Sequence, residues 1–192
     1  MIAAVTMPVS QLAGTRPAAK KREQRRGDAQ DMLATEWLAL SYEQQSQHDL
    51  NAALRSARQA VKRSPTFGFG WARVAELEFS HGNIVAARKA ADQALRLSPR
   101  NAQAHAVRAF LLAGENRIAA ATDAFEEAIR LDRLLANGWL GRGLCRIRRG
   151  DLEAGREDLR VAATLEPRRS LIRSYVGKAF ADSARPKSHR RS

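Results

Sequence analysis

Four histidines, one cysteine and a pair of adjacent glutamates are the side chains of this 192-residue chain with obvious chemistry for metal binding, nucleophilic attack or proton transfer. His48, His81, His105 and His189 stand far apart, fall in no HExxH pattern and have no cysteine beside them. Structural roles are therefore expected for them, and no bound metal. A lone cysteine excludes an internal disulfide framework. Cys145 sits among Gly143, Leu144 and Ile147, where it reads as a buried, inert thiol. Glu126 and Glu127 are neighbours on a predicted helix and so project in different directions, a poor geometry for an acid/base couple. Gly68-Phe69-Gly70 and Gly141-Arg142-Gly143 lack the further glycines, lysine and strand context that a phosphate-cradling loop requires. The expectation is a non-enzymatic protein without catalytic residue or cofactor.

The elements that carry these residues repeat. Trp37, Trp71, His105 and Trp139 recur every 34 residues, and Pro65, Pro99, Arg133 and Pro167 keep the same beat. Leu50, Ile84, Ile118 and Leu152 follow the short turns His48-Asp49, Gly82-Asn83, Asn116-Arg117 and Gly150-Asp151. Small residues fill three further columns: Ser41, Ala75, Ala109, Gly143 and Gly177; Ala53, Ala87, Ala121 and Gly155; Ala60, Ala94, Ala128 and Ala162. Small side chains at fixed intervals let helix axes approach to about 8–10 Å while larger neighbours interdigitate.

A 34-residue period with this aromatic, small-residue and proline pattern resembles the tetratricopeptide repeat (TPR). The resemblance covers about 150 residues. It implies an all-α, right-handed α-solenoid of four TPR helix pairs plus a C-terminal capping helix. The chain departs from the family in its larger packing residues. Arg108 and Arg142 stand where Leu40, Val74 and Val176 keep a large aliphatic, and each must reach water or find a carboxylate. The family's tyrosine, seven places after the tryptophan, is replaced by Gln44, Glu78, Leu112 and Arg146. The aromatic between the later small columns survives as Phe125.

Stacked helix pairs build a superhelix with an extended concave face, and in TPR proteins the first helix of each pair lines it. Carried over to this register, the partner-binding groove comprises Leu38 and Tyr42, then Phe69, Arg73, Glu76 and Phe79. The third unit adds Gln103 and Phe110, and the fourth Asn137, Leu140, Leu144 and Arg148. That lining is mainly apolar and aromatic. It lacks the several Lys and Asn with which some TPR domains clamp the acidic tails of chaperones, and suits an amphipathic helix or an extended peptide of a partner protein with large apolar anchors.

The net charge of +13 sits in the flanks. Residues 1–30 hold six Lys/Arg against two acids, residues 168–192 eight against one, and the body between is almost neutral. The expected organisation is a basic, largely disordered segment over 1–27, four TPR units over 28–167, a capping helix over 168–184 and a basic flexible tail over 185–192. Ile172, Tyr175, Val176, Ala179 and Phe180 give that last helix one apolar face. The cations from Arg142 onward raise an alternative, an accessory that binds nucleic acid or another polyanion in a salt-dependent way. No aromatic stacking platform interleaves with them. No apolar run approaches the ~20 residues of a membrane span. The N-terminal run Met1–Met7 lacks the basic start of an export signal, so cytoplasmic residence is the default. The stretch 147–155 looks like arrays in larger bacterial TPR proteins, which points to a bacterial source.

Overall fold

Residues 32–181 are described by the computed structural model. The segment 1–27, the tail 185–192 and the last residues of the expected 168–184 helix lie outside the described residues. From Ala34 the chain forms α1 (Ala34–Ser46) and α2 (Leu50–Arg63), then α3 (Gly68–Ser80) and α4 (Ile84–Leu97). Next come α5 (Ala102–Gly114) and α6 (Ile118–Leu131), α7 (Ala136–Arg148) and α8 (Leu152–Leu165), and finally α9 (Ser170–Ala181). Each odd helix packs on the even helix after it, each pair packs on the next, and α9 packs on α8. The architecture is an all-α solenoid of four helix pairs closed by a capping helix.

The turn within each pair has one backbone solution. His48, Gly82, Asn116 and Gly150 all take positive φ, at 64°, 76°, 63° and 91°. That conformation ends a helix by turning the next N–H back onto an orphan carbonyl. Asp49 N–H accordingly donates to Gln44 O, Asn83 to Glu78 O, Arg117 to Leu112 O and Asp151 to Arg146 O, at 2.9–3.0 Å. Glycine meets this demand at little cost, and asparagine and histidine are among the other residues that adopt it most readily.

The link between pairs is just as regular. Ser64, Ser98 and Glu166 precede the prolines and are driven out of the helical region. Asp132, before Arg133, takes the same extended conformation (φ −145°, ψ 104°). Proline thus favours this exit without being required for it. A second tie is shared by the aromatic column. Trp71 Nε1 donates to Pro65 O at 2.8 Å, and Trp139 Nε1 to Arg133 O at 2.9 Å. His105 Nε2 lies 2.8 Å from Pro99 O. A carbonyl can only accept, so Nε2 carries the proton, and the imidazole does the work of an indole N–H.

All the small-residue columns through Ala162 are buried. In the fourth pair the helices approach closely: a Cβ on Gly143 would lie 2.8 Å from the Gly155 carbonyl oxygen, and one on Gly155 2.8 Å from that of Gly143. Both positions need glycine. Ala94 and Ala128 are fully buried at the interfaces between pairs. Changing either to leucine is expected to destabilise by about 1–3 kcal/mol through overpacking. Unaltered urea midpoints for both variants would contradict this packing.

The substituted positions resolve individually. Arg108 reaches solvent. Arg142 finds a carboxylate: its guanidinium binds Asp158 twice, at 2.9 and 2.7 Å, and lies 4.9 Å from the Trp139 ring centroid. Arg146 adds a third bond to Asp158 at 3.0 Å. Of the other replacements for the missing tyrosine, Gln44 accepts from Ser56 at 2.7 Å, Glu78 binds Arg58 at 2.6 Å, and Leu112 is buried. Polar pairs have replaced apolar contact there, with no buried side-chain N or O atom left unbonded among the described residues.

Helix α9 continues the register with its outer face made polar. Ser170, Arg173, Ser174 and Lys178 occupy the places of Ala136, Trp139, Leu140 and Leu144 in α7. Its inner face keeps Ile172, fully buried among Ala136, Leu140, Leu159 and Ala162, and Arg156 Nε donates to Ala179 O at 3.0 Å. A Cβ on Gly177 would meet nothing within 4 Å. No further helix covers that column among the described residues.

Candidate partner-binding groove

The first helices α1, α3, α5 and α7 touch one another in sequence, so side chains separated by 34 residues come to stand in rows. Two adjoining hollows lie along these rows. The first, of about 830 Å³, gathers Tyr42, Phe69, Arg73, Glu76, Gln103 and Asn137 with residues from the links between pairs. The second, of about 510 Å³, is lined by Phe79, Phe110, Leu140 and Leu144, over a floor of Ala106 and Val107. Gln45, Glu76, Gln103, Asn137 and Arg169 border both, and the two form one continuous groove.

Of the candidates carried over from the family pattern, Leu38 and Arg148 line neither hollow. Leu38 is half-buried on α1, and Arg148 donates to Asn116 Oδ1 at 2.9 Å. Tyr42 and Phe69 are the open aromatics, 51% and 60% exposed. Phe79 and Phe110 are half-buried and stack with ring centroids 5.7 Å apart; Phe110 meets the buried Phe125 edge-on at 4.8 Å. This aromatic chain runs from the groove wall into the core, so Phe79 serves packing as well as lining.

Arg73 is the least expected member. Its side chain is fully buried beneath the groove surface. Nε donates to Ser41 Oγ at 3.0 Å, one terminal nitrogen to Ser41 O at 3.1 Å, and the other to Glu76 at 2.8 Å. The guanidinium also lies 4.0 Å from the Tyr42 ring centroid, a cation–π contact. Each of its three nitrogens donates to a fixed partner, and the two bonds to Ser41 tie α1 to α3 from within. Burial holds the Tyr42 phenol above its ordinary pKa; Glu76 adds to that shift and Arg73 opposes it.

The lining is more polar than the first helices alone suggest, because the links between pairs contribute. Arg100, Asp132, Glu166 and Arg169 enter the first hollow with Asn101 and Leu135. Three cations, Arg73, Arg100 and Arg169, there face three carboxylates, Glu76, Asp132 and Glu166. Arg169 bonds Glu166 at 3.1 Å and Asn137 Oδ1 at 2.7 Å. Leu171 and Tyr175 of the capping helix join the second hollow. They stand one period beyond Asn137 and Gly141, so extending the 34-residue register by one more step finds them. Asn101, Leu135 and Arg169 likewise share one column, at the entrance to each first helix.

Cys145, His81, Glu126 and Glu127 are engaged in structure, and His189 lies outside the described residues. Cys145 is buried, and burial pushes its thiol above the ordinary value, with a Thr122 hydrogen bond pulling the other way. His81 Nδ1 lies 2.7 Å from Leu77 O. Glu127 bonds Arg130, while Glu126 faces Arg142 and Arg146 at 3.9 and 3.7 Å. Among the described residues no three His, Cys, Asp or Glu side chains converge as a metal site, and no helix is long and apolar enough to cross a membrane.

Neither a family model nor a curated protein matches the sequence. Solved structures match the fold. TTC0263, a thermophilic TPR protein of Thermus thermophilus, superposes with a TM-score of 0.67 at 20% identity, over 79% of this chain and 84% of its own. PilW, a widely conserved type IV pilus biogenesis factor, gives 0.63 at 20% identity, over 78% and 70%. The first TPR domain of Spaghetti (RPAP3), bound to the HSP90 peptide SRMEEVD, gives 0.52 at 19% identity, over 62% and 94%.

Proposed function

Because this chain has the tetratricopeptide-repeat fold, we propose that it is a non-enzymatic scaffold that captures a segment of a partner protein in its groove. The observation that carries this reading is the continuous groove, with two open aromatics, Tyr42 and Phe69, at one end and an apolar hollow at the other. Exposed aromatics beside a preformed hollow are the usual anchors of an interface. That RPAP3 holds a peptide on the same fold supports it further.

The groove does not suit an acidic clamp. Arg73 is committed to Ser41, Tyr42 and Glu76, and Arg169 to Glu166 and Asn137. The polyanion alternative draws on cations that are largely engaged within the described residues. Arg142 and Arg146 bind Asp158, Arg156 binds Glu153, and Arg160 binds Glu157.

Affinity capture with the full chain, beside a Tyr42→Ala/Phe69→Ala variant, tests the reading. A bound protein should weaken roughly tenfold or more with the variant, as for loss of interface anchors. It should persist when salt is raised to about 0.5 M, where surface charge is screened. Binding indifferent to the variant but abolished by salt would favour the polyanion alternative instead.

A further inference from the structure

The outer face of the solenoid has a different character from the groove. The first helices touch one another, whereas successive second helices meet chiefly through the first helix between them, so α2, α4, α6 and α8 form the outer layer. Charge divides along that layer. Counted with their N-cap residues, α2 and α4 hold seven Lys/Arg against two acids, while α6 and α8 hold four against seven. Exposed aliphatics gather on the basic half. Leu50 and Ile84 open α2 and α4, and Val85 stands out from the surface at 70% exposure. A hollow of about 670 Å³ between α2 and α4 brings Ile84 and Val85 together with Arg58 and Lys89, and shares no residue with the two hollows of the groove. Its one carboxylate, Glu78, is buried and held by Arg58 and Asn83. Arg55 and Lys89 are exposed and have no ion-pair partner among the described residues.

The repeat supplies an internal comparison. Arg55 and Lys89 continue at the 34-residue period as Asp123 and Glu157, and Val85 continues as Ala119 and Glu153. The equivalent surface of the third and fourth pairs thus carries the opposite charge and no protruding valine. Helix packing does not impose the combination, because the same backbone carries both versions. Cations around exposed aliphatics match a bilayer, whose headgroups are anionic and whose apolar boundary lies about 5–10 Å beneath them. A nucleic acid would use the cations alone, and its bases would need stacking rings. Neither α2 nor α4 contains an aromatic residue.

We propose that the outer face of α2 and α4 is a docking surface for an anionic lipid bilayer. Arg55, Arg58 and Lys89 meet the headgroup phosphates, and Val85 and Ile84 enter the boundary with the acyl chains. The groove, lined by the first helices, stays free for a partner. This goes beyond the partner-capture reading and does not depend on it, since the two surfaces share no residue.

Flotation of the full chain with phosphatidylcholine vesicles, with and without about one third phosphatidylglycerol, tests the proposal. The chain should float with the anionic vesicles and not with the neutral ones. Arg55→Glu/Lys89→Glu should lower its partition at least tenfold, and the milder Arg55→Gln/Lys89→Gln at least threefold. The basic flanks also attract anionic lipid, so Lys187→Glu/Arg190→Glu is the control of equal charge change, expected to cost less than about threefold. Val85→Ser should lower partition about threefold or more through lost apolar insertion. Val85→Trp should raise it, with fluorescence quenched by brominated acyl chains beyond the parent's. Arg55, Val85 and Lys89 are exposed, so these variants should keep the parent's circular dichroism spectrum. Equal losses for the face and tail charge variants would assign the binding to the flanks and overturn the proposal. So would indifference to Val85→Ser without added quenching in Val85→Trp. Failure to float with anionic vesicles overturns it as well, and retention of a single-stranded oligonucleotide that Arg55→Glu/Lys89→Glu abolishes would then assign the face to nucleic acid.

Discussion

Replacing Arg73 by alanine should be among the most damaging single changes in this protein, lowering stability by about 3–5 kcal/mol, the usual cost of breaking a buried ion pair from one side. The guanidinium is fully buried and bridges two helices through Ser41 Oγ, Ser41 O and Glu76. Its loss strands the Ser41 hydroxyl in the core, where an unmet polar group is costly, and frees α1 from α3. Arg73→Lys should recover only part of this. Three nitrogens held in one plane reach three acceptors, which a single ammonium on a flexible stem cannot reproduce. Glu76 is 20% exposed at its side chain and can hydrate, which favours the lower end of the range. Urea denaturation followed by circular dichroism measures the effect. A loss below about 1 kcal/mol for the alanine variant would show that the bridge contributes little.

A comparable loss, about 3–5 kcal/mol, is expected for Phe125→Ala, from lost burial and the cavity left behind. Phe125 is fully buried and meets Phe110 edge-on. Its ring also occupies the space that a side chain on Gly141 would need, since a Cβ there would lie 2.0–2.7 Å from three ring atoms. The pair therefore predicts a change of sign. Alone, Gly141→Ala should destabilise by about 1–3 kcal/mol through overpacking, although alanine is the better helix former by about 1 kcal/mol. In the Phe125→Ala background the clash is gone, and Gly141→Ala should be neutral or stabilising. A double-mutant cycle reads this coupling directly. Additive effects of the two changes would refute the contact.

The fold was legible because repetition over-determines it. One alanine says little, but Ala60, Ala94, Ala128 and Ala162 at equal intervals say that four interfaces share one geometry, and all four are fully buried. The turn columns read as clearly, since His48, Gly82, Asn116 and Gly150 face one backbone demand that glycine and asparagine meet readily. The first-helix lining was legible for a related reason: residues 34 apart share a face, so Phe69, Gln103, Asn137 and the less expected Leu171 fall in one row.

The periodic features follow from local rules, namely side-chain size against helix spacing, turn chemistry, and proline at the exit from each pair. These act within one or two repeats, and a linear pattern records them. Which charges are spent and which remain available was decided only by the assembled helices. Nothing in the residues around Arg73 reveals that Ser41, 32 positions away, accepts two of its hydrogen bonds, or that Asp158 takes both Arg142 and Arg146. The same holds for the charged half of the groove, where link residues from three different repeats converge. Such pairings depend on side-chain reach across helices, and the energy of a buried charge is set by every neighbour at once, a property of three-dimensional packing that periodicity does not encode.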